Sequence, residues 1–180
     1  MPGFQACPGA EVAAVCDTDL ARARCVAEEF RIAEVYPSVD AMLAGTSLDL
    51  VGVVTPDDCH RPAVEAAIAA GAHVLCEKPL ATTLADARAM LRLAETADVR
   101  AGIGFALRYA PAMLRLREAV AGGVIGEPQL FQAFQQNGQF LDPHAPRHWK
   151  MERQRTGGGA IVEYGIHTLD LARWIMGGIA

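Results

Sequence analysis

Lysine is almost missing from this chain of 180 residues: of its 16 basic side chains only Lys78 and Lys150 are lysines. Acids outnumber bases 21 to 16, a formal net charge of −5, which argues against an electrostatic binder of nucleic acid. No apolar run is long enough to cross a bilayer, and Met1-Pro2-Gly3-Phe4 shows neither a charged n-region nor a cleavage pattern. Internal repeats and low-complexity tracts are absent. The five cysteines (Cys7, Cys16, Cys25, Cys59, Cys76) contain no C-x-x-C pair and are odd in number. They read as reduced core thiols of a cytoplasmic protein, not as a disulfide framework. Glycine is plentiful, yet Gly102-Ile103-Gly104 lacks a third glycine and Gly157-Gly158-Gly159 is followed by no Gly-Lys-Ser/Thr. Phosphoryl transfer is left without a phosphate loop.

What is present is mostly hydrophobic, 52% of the residues, which at this length supports a buried core and excludes disorder. Charge is uneven along the chain. Residues 1–105 hold 15 acids and 8 bases, residues 106–180 hold 6 and 8, and this places a compositional boundary near residue 105.

Apolar runs alternate with amphipathic ones. Residues 11–17 read as a buried strand ending on Asp17, and 18–30 as a helix with Leu20, Cys25, Val26 and Phe30 inward. A brief strand at 32–36 and a short helix through Met42 and Leu43 follow. After a strand at 48–54, Thr55 can cap a helix, Pro56 suits its first position, and Asp57 and Asp58 face the positive end of its dipole. That helix is expected to run to Ala70 and stop at Gly71. A strand at 72–76 leads into Glu77-Lys78-Pro79. Thr83 and Asp86 resemble a capping box opening a helix toward Thr96, and 99–105 is a fifth strand. The alternation predicts an α/β fold, a doubly wound parallel sheet covered on both faces. Ligands bind such sheets at the carboxyl ends of the strands, where Asp17, Thr55-Pro56 and Glu77-Lys78-Pro79 all fall. Beyond residue 105 the pattern predicts a helix at 108–121, a strand at 129–136, a polar loop at 137–156 and a helix at 160–176.

Individual motifs admit two readings each. An acid ending a strand, as Asp17 does, can accept hydrogen bonds from a ribose and repel a 2′-phosphate, or can simply cap the next helix. Lys78 can bind a substrate oxygen or be a solvated loop lysine. Glu163, His167 and Asp170 are spaced to share one helix face, either an oriented acid/base imidazole or a solvated polar side. His144 and His148 are four apart, but Pro143 and Pro146 disfavour a helix there and no third ligand stands nearby, so no metal is assigned.

In combination these segments resemble the glucose–fructose oxidoreductase / inositol dehydrogenase (Gfo/Idh/MocA) family. The matching stretches are Val12-Ala-Ala-Val-Cys-Asp17, Thr55-Pro-Asp-Asp-Cys-His60, Gly71-Ala-His-Val-Leu-Cys-Glu-Lys-Pro-Leu80, Gly104-Phe-Ala-Leu-Arg-Tyr109 and Gly157-Gly-Gly-Ala-Ile-Val-Glu-Tyr-Gly-Ile-His167-Thr-Leu-Asp170. They cover nearly the whole chain, in family order. The resemblance implies a Rossmann domain followed by an α/β substrate domain, NAD as cofactor in preference to NADP, and hydride transfer to or from a polyol, sugar or related hydroxylated substrate. It implies no metal, and a homo-oligomer for full-length relatives. Carried over by position, Asp17 would hold the ribose, Thr55, Pro56 and His60 would line the nicotinamide side, and Arg108 would join the cofactor set. Glu77, Lys78 and Pro79 would form the catalytic loop, often with a cis peptide before the proline. Lys78 would bind the reacting oxygen and His167 would be the acid/base, with Glu163 beside it. Asp17, Lys78 and His167 are then expected around one cleft.

Two departures qualify this. Glu163 stands where the family usually has Asp, keeping the charge but shifting its reach, so a non-catalytic binding or assembly protein on the same scaffold is the alternative. The family's first strand, glycine turn and most of its first helix, roughly 25–30 residues, precede the position matched by Phe4-Gln5-Ala6-Cys7. The strand concerned is the middle one, between the strands at 11–17 and 48–54. The expectation is a Rossmann-like sheet lacking its first strand (1–105), then the beginning of a substrate domain (106–180), binding NAD weakly or not at all in this form.

Overall fold

The computed structural model describes residues 2–136, 138, 142, 144, 146 and 148–178. Contacts divide it into two units, one of Met1–Val53, Arg61–Leu75 and Ala89–Gly102, the other of Val54–His60, Cys76–Arg88 and Ile103–Ala180.

The first unit holds most of the strands. A short helix α1 (Pro2–Gln5) precedes β1 (Ala14–Cys16), which pairs in parallel with β2 (Glu34–Tyr36) in the register Ala14↔Glu34, Val15↔Val35, Cys16↔Tyr36. Between them runs α2 (Leu20–Phe30), which starts two residues later than expected because the Asp19 carboxylate takes the cap, accepting from the amides of Ala21 and Arg22. Its inner face holds Ala23 and Ala27, buried, with Val26 and Phe30 half-buried on the same side, as expected for the latter two, whereas Leu20 and Cys25, also expected inward, are exposed. Asp19→Ala removes the cap and is expected to cost about 1 kcal/mol, read from the urea midpoint.

After β2, Ser38 caps α3 (Val39–Gly45) by accepting from the Ala41 amide, and the Tyr36 hydroxyl meets Thr46 Oγ1 at 2.9 Å. The remaining strands, β3 (Leu50–Val53), β4 (His73–Cys76) and β5 (Ala101–Ile103), form a separate sheet in that order, with α4 (His60–Ala69) between β3 and β4 and α5 (Leu84–Thr96) between β4 and β5. Among the described residues the strands thus fall into two sheets, β1-β2 and β3-β4-β5, instead of the one doubly wound sheet expected. β3 and β4 bury only alternate residues, Val51, Val53, Val74 and Cys76, against a core that includes Val64, Ala67, Ile68 and Met90. The face carrying Leu50 and Leu75 is not covered as expected, although the Phe4 ring lies over Gly52. The capping box is present: Thr83 Oγ1 donates to Asp86 Oδ2 at 2.7 Å and accepts from the Asp86 amide.

In the second unit, Pro56 is extended (ψ 151°) and precedes a 3₁₀ turn at Asp57–Cys59, so it is not the first residue of a helix, and the Thr55 hydroxyl makes no cap. A second 3₁₀ turn, Ala106–Tyr109, leads to α6 (Pro111–Ala121), whose start is set by Pro111, a residue without an amide to satisfy. No strand forms at 129–136 among the described residues; a strand needs a paired neighbour, and none is offered there. A 3₁₀ turn (Trp149–Met151), α7 (Arg153–Thr156), a π-helical turn (Ile161–Gly165) and α8 (Ile166–Met176) complete the chain's elements. α8 packs on α6, with the Arg117 guanidinium 4.5 Å above the Trp174 ring. Among the described residues no helix is long and apolar enough to cross a membrane.

Candidate active site

Lys78 follows β4, and the peptide between it and Pro79 is cis. Glu77 curls back to accept from the Lys78 amide at 3.1 Å, and Gly104 leaves room for it: a Cβ there would lie 3.1 Å from the Glu77 carboxylate. The Lys78 side chain is 11% exposed. Its Nζ donates to the Glu163 carbonyl at 2.9 Å and lies 3.3 Å from Glu163 Oε1. That contact joins residues 85 apart in sequence. Glu163 sits in the π-helical turn, a widened turn of a kind often found at functional sites.

The loop ahead of this turn is held by Gly157, which ends α7 in the left-handed region (φ 70°) and passes so close that a Cβ would lie 2.5 Å from the Thr82 carbonyl. Gly157→Ala combines a disfavoured backbone with a collision against backbone. A loss of about 2 kcal/mol or more is expected, read by urea denaturation.

His167 lies one turn beyond Glu163. Burial lowers its pKa below the ordinary histidine range, the Lys78 charge lowers it further, and Glu163, Glu77 and Asp170 pull the other way. Its Nδ1 is buried and has no hydrogen-bond partner among the described residues, as is also true of Thr55 Oγ1 and Asp57 Oδ2. Phe105 meets the imidazole edge-on at 6.3 Å between centroids, and Arg108 lies 5.4 Å over the same Phe105 ring. Asp170, expected on the His167 face, instead takes the Arg108 guanidinium as a two-point pair through Nε (2.7 Å) and Nη2.

His60 is fully buried, and both ring nitrogens face backbone carbonyls: Nδ1 lies 2.9 Å from that of Pro79, Nε2 3.0 Å from that of Thr55. The ring therefore ties the Thr55-Pro56 loop to the Lys78 loop from within. A neutral imidazole donates from one nitrogen only, so the tautomer decides which loop is held more firmly. Asp57, read from sequence as a helix-dipole acid, is 5% exposed. Burial raises its pKa, the His60 charge opposes this, Glu163 adds to it, and Lys78 and Lys150 lower it. Burial likewise pushes the Cys76 thiol up to about 12, with Glu77 and Asp57 adding, so it is a core thiol as expected, whereas Cys7, Cys25 and Cys59 are exposed and Cys16 is half-buried, against the expectation of core thiols throughout.

Asp17 lies in the first unit, directly after β1, where its carboxylate accepts from the Asp19 amide at 2.8 Å and pairs with Arg22 at 3.3 Å. Among the described residues no group of three or more His, Cys, Asp or Glu side chains could hold a metal ion. Sequence reasoning missed the partner of Glu163: Lys150 Nζ donates to Glu163 Oε1, the atom that also faces Lys78. The signal was the rarity of lysine, since both lysines of the chain end on one oxygen.

Parallel strands joined by helices are the architecture of an NAD-binding Rossmann fold. The sequence matches the oxidoreductase family with an NAD-binding Rossmann fold over residues 1–105 and the GFO/IDH/MocA C-terminal domain over residues 113–180. The chain belongs to the Gfo/Idh/MocA family. It is 39% identical over 168 residues to a 1,5-anhydro-D-fructose reductase of Ensifer adhaerens, covering 93% of this chain and 50% of that protein. It is 37% identical over 169 residues to an inositol 2-dehydrogenase of Acidothermus cellulolyticus, covering 93% and 46%. Of solved structures, an oxidoreductase from Agrobacterium radiobacter in complex with NAD+, L-tartaric acid and magnesium superposes with a TM-score of 0.82 at 30% identity, over 100% of this chain and 51% of that one. An oxidoreductase domain protein from Kribbella flavida gives 0.83 at 34%, over 93% and 45%. The chain spans about half the length of the relatives it matches.

Proposed function

We propose that this protein carries the acid/base half of an NAD-dependent oxidation of a hydroxyl group on a polyol, sugar or similar substrate. The observation that carries the reading is the half-buried cluster of Lys78, Glu163 and His167, beside three buried polar atoms of the same unit that have no partner among the described residues. Thr55 Oγ1, Asp57 Oδ2 and His167 Nδ1 are what a site leaves open when a polar ligand is to complete it. Thr55 and Pro56 would hold the nicotinamide end of the cofactor, which supplies hydride acceptance when bound. Lys78 Nζ binds the substrate oxygen and, being cationic, favours the developing alkoxide. The imidazole of His167, kept neutral by burial and Lys78, takes the hydroxyl proton. Glu163 holds the Lys78 ammonium in place. In the first unit, Asp17 would accept from the adenine ribose and repel a 2′-phosphate, hence NAD over NADP. Residues 1–105 serve the cofactor in this reading, and 106–180 the substrate.

The test has two readouts. Because this form is expected to bind NAD weakly, NAD+ is added in large excess, and is expected to shift the NMR signals of Thr55 and His167 more than NADP+ does. A panel of polyols, aldoses and sugar acids is then assayed for reduced nicotinamide by absorbance. Shifts that spare Thr55, Lys78 and His167 would overturn the site. Binding there without transfer to any substrate would favour the scaffold role.

A further inference from the structure

Three charged side chains meet at Glu163 Oε1. Lys78 approaches it from the β4 loop, and Lys150 from the 3₁₀ turn at Trp149–Met151. Their side chains are 11% and 27% exposed, and that of Glu163 12%. Lys150 is fixed from two further directions. Its amide donates to His148 Nδ1 at 3.3 Å, and its ammonium lies 5.6 Å over the Trp149 ring. We propose that Lys150 is a positioning residue of this site: held against Glu163 Oε1 as a second counter-charge, it fixes that carboxylate in place and offsets its pull on His167. The inference deepens the reading above, since it rests on His167 as the acid/base.

Charge arithmetic supports it. Lys78 and Glu163 alone would be a neutral pair, so a neighbouring imidazole would feel mainly a dipole. With Lys150 added the group carries one excess positive charge, which disfavours a second cation on His167. Burial by itself would raise the Glu163 carboxyl; the hydrogen bond from Lys150 and the charges of both lysines overcome this and hold it below the usual carboxylate range. The charged groups acting on His167 are Lys78, Glu163, Glu77 and Asp170, the last engaged by Arg108. Asp57 feels Glu163 and both lysines. Lys150 therefore reaches His167 through the carboxylate it binds.

The experiment follows the histidine ring signals of the 180-residue chain by NMR through a pH titration, His167 being assigned by its loss in His167→Asn. Lys150→Met is expected to move the His167 midpoint upward, and Lys150→Arg to return it toward the parent value. Glu163→Gln should move it downward. In the Glu163→Gln background, where no carboxylate charge holds Lys150 beside the site, Lys150→Met should have a clearly smaller effect. The exposed His73, on β4, is the internal reference for folding and should not move. Should Lys150→Met fail to fold, Lys150→Gln and Lys150→Arg make the same comparison. A His167 midpoint unmoved by loss of the Lys150 charge, or moved equally with and without Glu163, overturns the proposal. The titration needs neither cofactor nor turnover. A protein that shows the coupling but transfers no hydride refutes the dehydrogenase reading alone, and the converse result refutes only the role of Lys150.

Discussion

Glu163→Ala is expected to cost about 3–5 kcal/mol of folding stability, among the largest effects a single substitution can have here. Both ammonium groups it faces are largely withdrawn from water, Lys78 more than Lys150. Without the carboxylate, two like charges are left close together with no counter-charge between them. Glu163→Gln keeps the volume and one acceptor oxygen and should lose less. Lys78→Met combined with Glu163→Leu should recover much of the loss, because the charge that needs solvating leaves with its partner. The pH dependence has a definite sign. The folded-state carboxyl lies below its ordinary value, so its contribution is fully present above the ordinary carboxylate range and is lost as pH falls through the lowered folded value. Urea midpoints at neutral and acidic pH measure both effects. A Glu163→Ala protein within about 1 kcal/mol of the parent at neutral pH would show the cluster to be solvated, against the structure.

On the reading proposed above, His167→Asn is expected to lower hydride transfer by roughly 10²–10⁴-fold, the usual contribution of a positioned general base. Because burial and Lys78 lower the imidazole pKa, the parent's rate of alcohol oxidation should hold through neutral pH. It should fall only as pH drops through a value below the ordinary histidine range. Lys78→Met removes the cation that depresses this value, so any residual activity should show its acid limb at higher pH. The pH profile of kcat/KM separates these cases. An acid limb that survives His167→Asn unchanged would assign the proton to another group. The buried carboxyl of Asp57, raised by its burial, would be the first to test.

Much of the architecture was legible beforehand because its causes are short-range. Thr83 and Asp86 are three residues apart and cap each other, as read. Gly71 takes the left-handed conformation at the end of α4's last turn, also as read. The strands at 50–53 and 73–76 follow their apolar runs. Errors arose where an element's form depends on what lies beside it. On α2, Val26 and Phe30 share the inner face with the buried Ala23 and Ala27, but Leu20 and Cys25 do not, because close packing there favours small residues. Residues 129–136 have the composition of a strand but find no pairing partner among the described residues. The Thr55-Pro56-Asp57 start looked helical, yet the loop is extended at Pro56 and Asp57 turns into the protein.

The site shows the same division. Lys78, Glu163 and His167 could be named from their residue types and places along the chain. That Asp170 belongs to Arg108, that His60 is an internal tie between two loops, and that Lys150 shares a carboxylate with Lys78 could not. Those pairings join positions 62, 19 and 13 residues apart, with the Lys78 contact to Glu163 spanning 85. Sequence alone determined the order of strands and helices up to about residue 105, the Thr83–Asp86 capping box and the residue types of the loops at the strand ends, because these depend on backbone propensity and contacts within a few residues. Only the tertiary structure decided which acid meets which base. Such a choice depends on distances of a few ångströms between remote segments, which leave no periodicity in the chain.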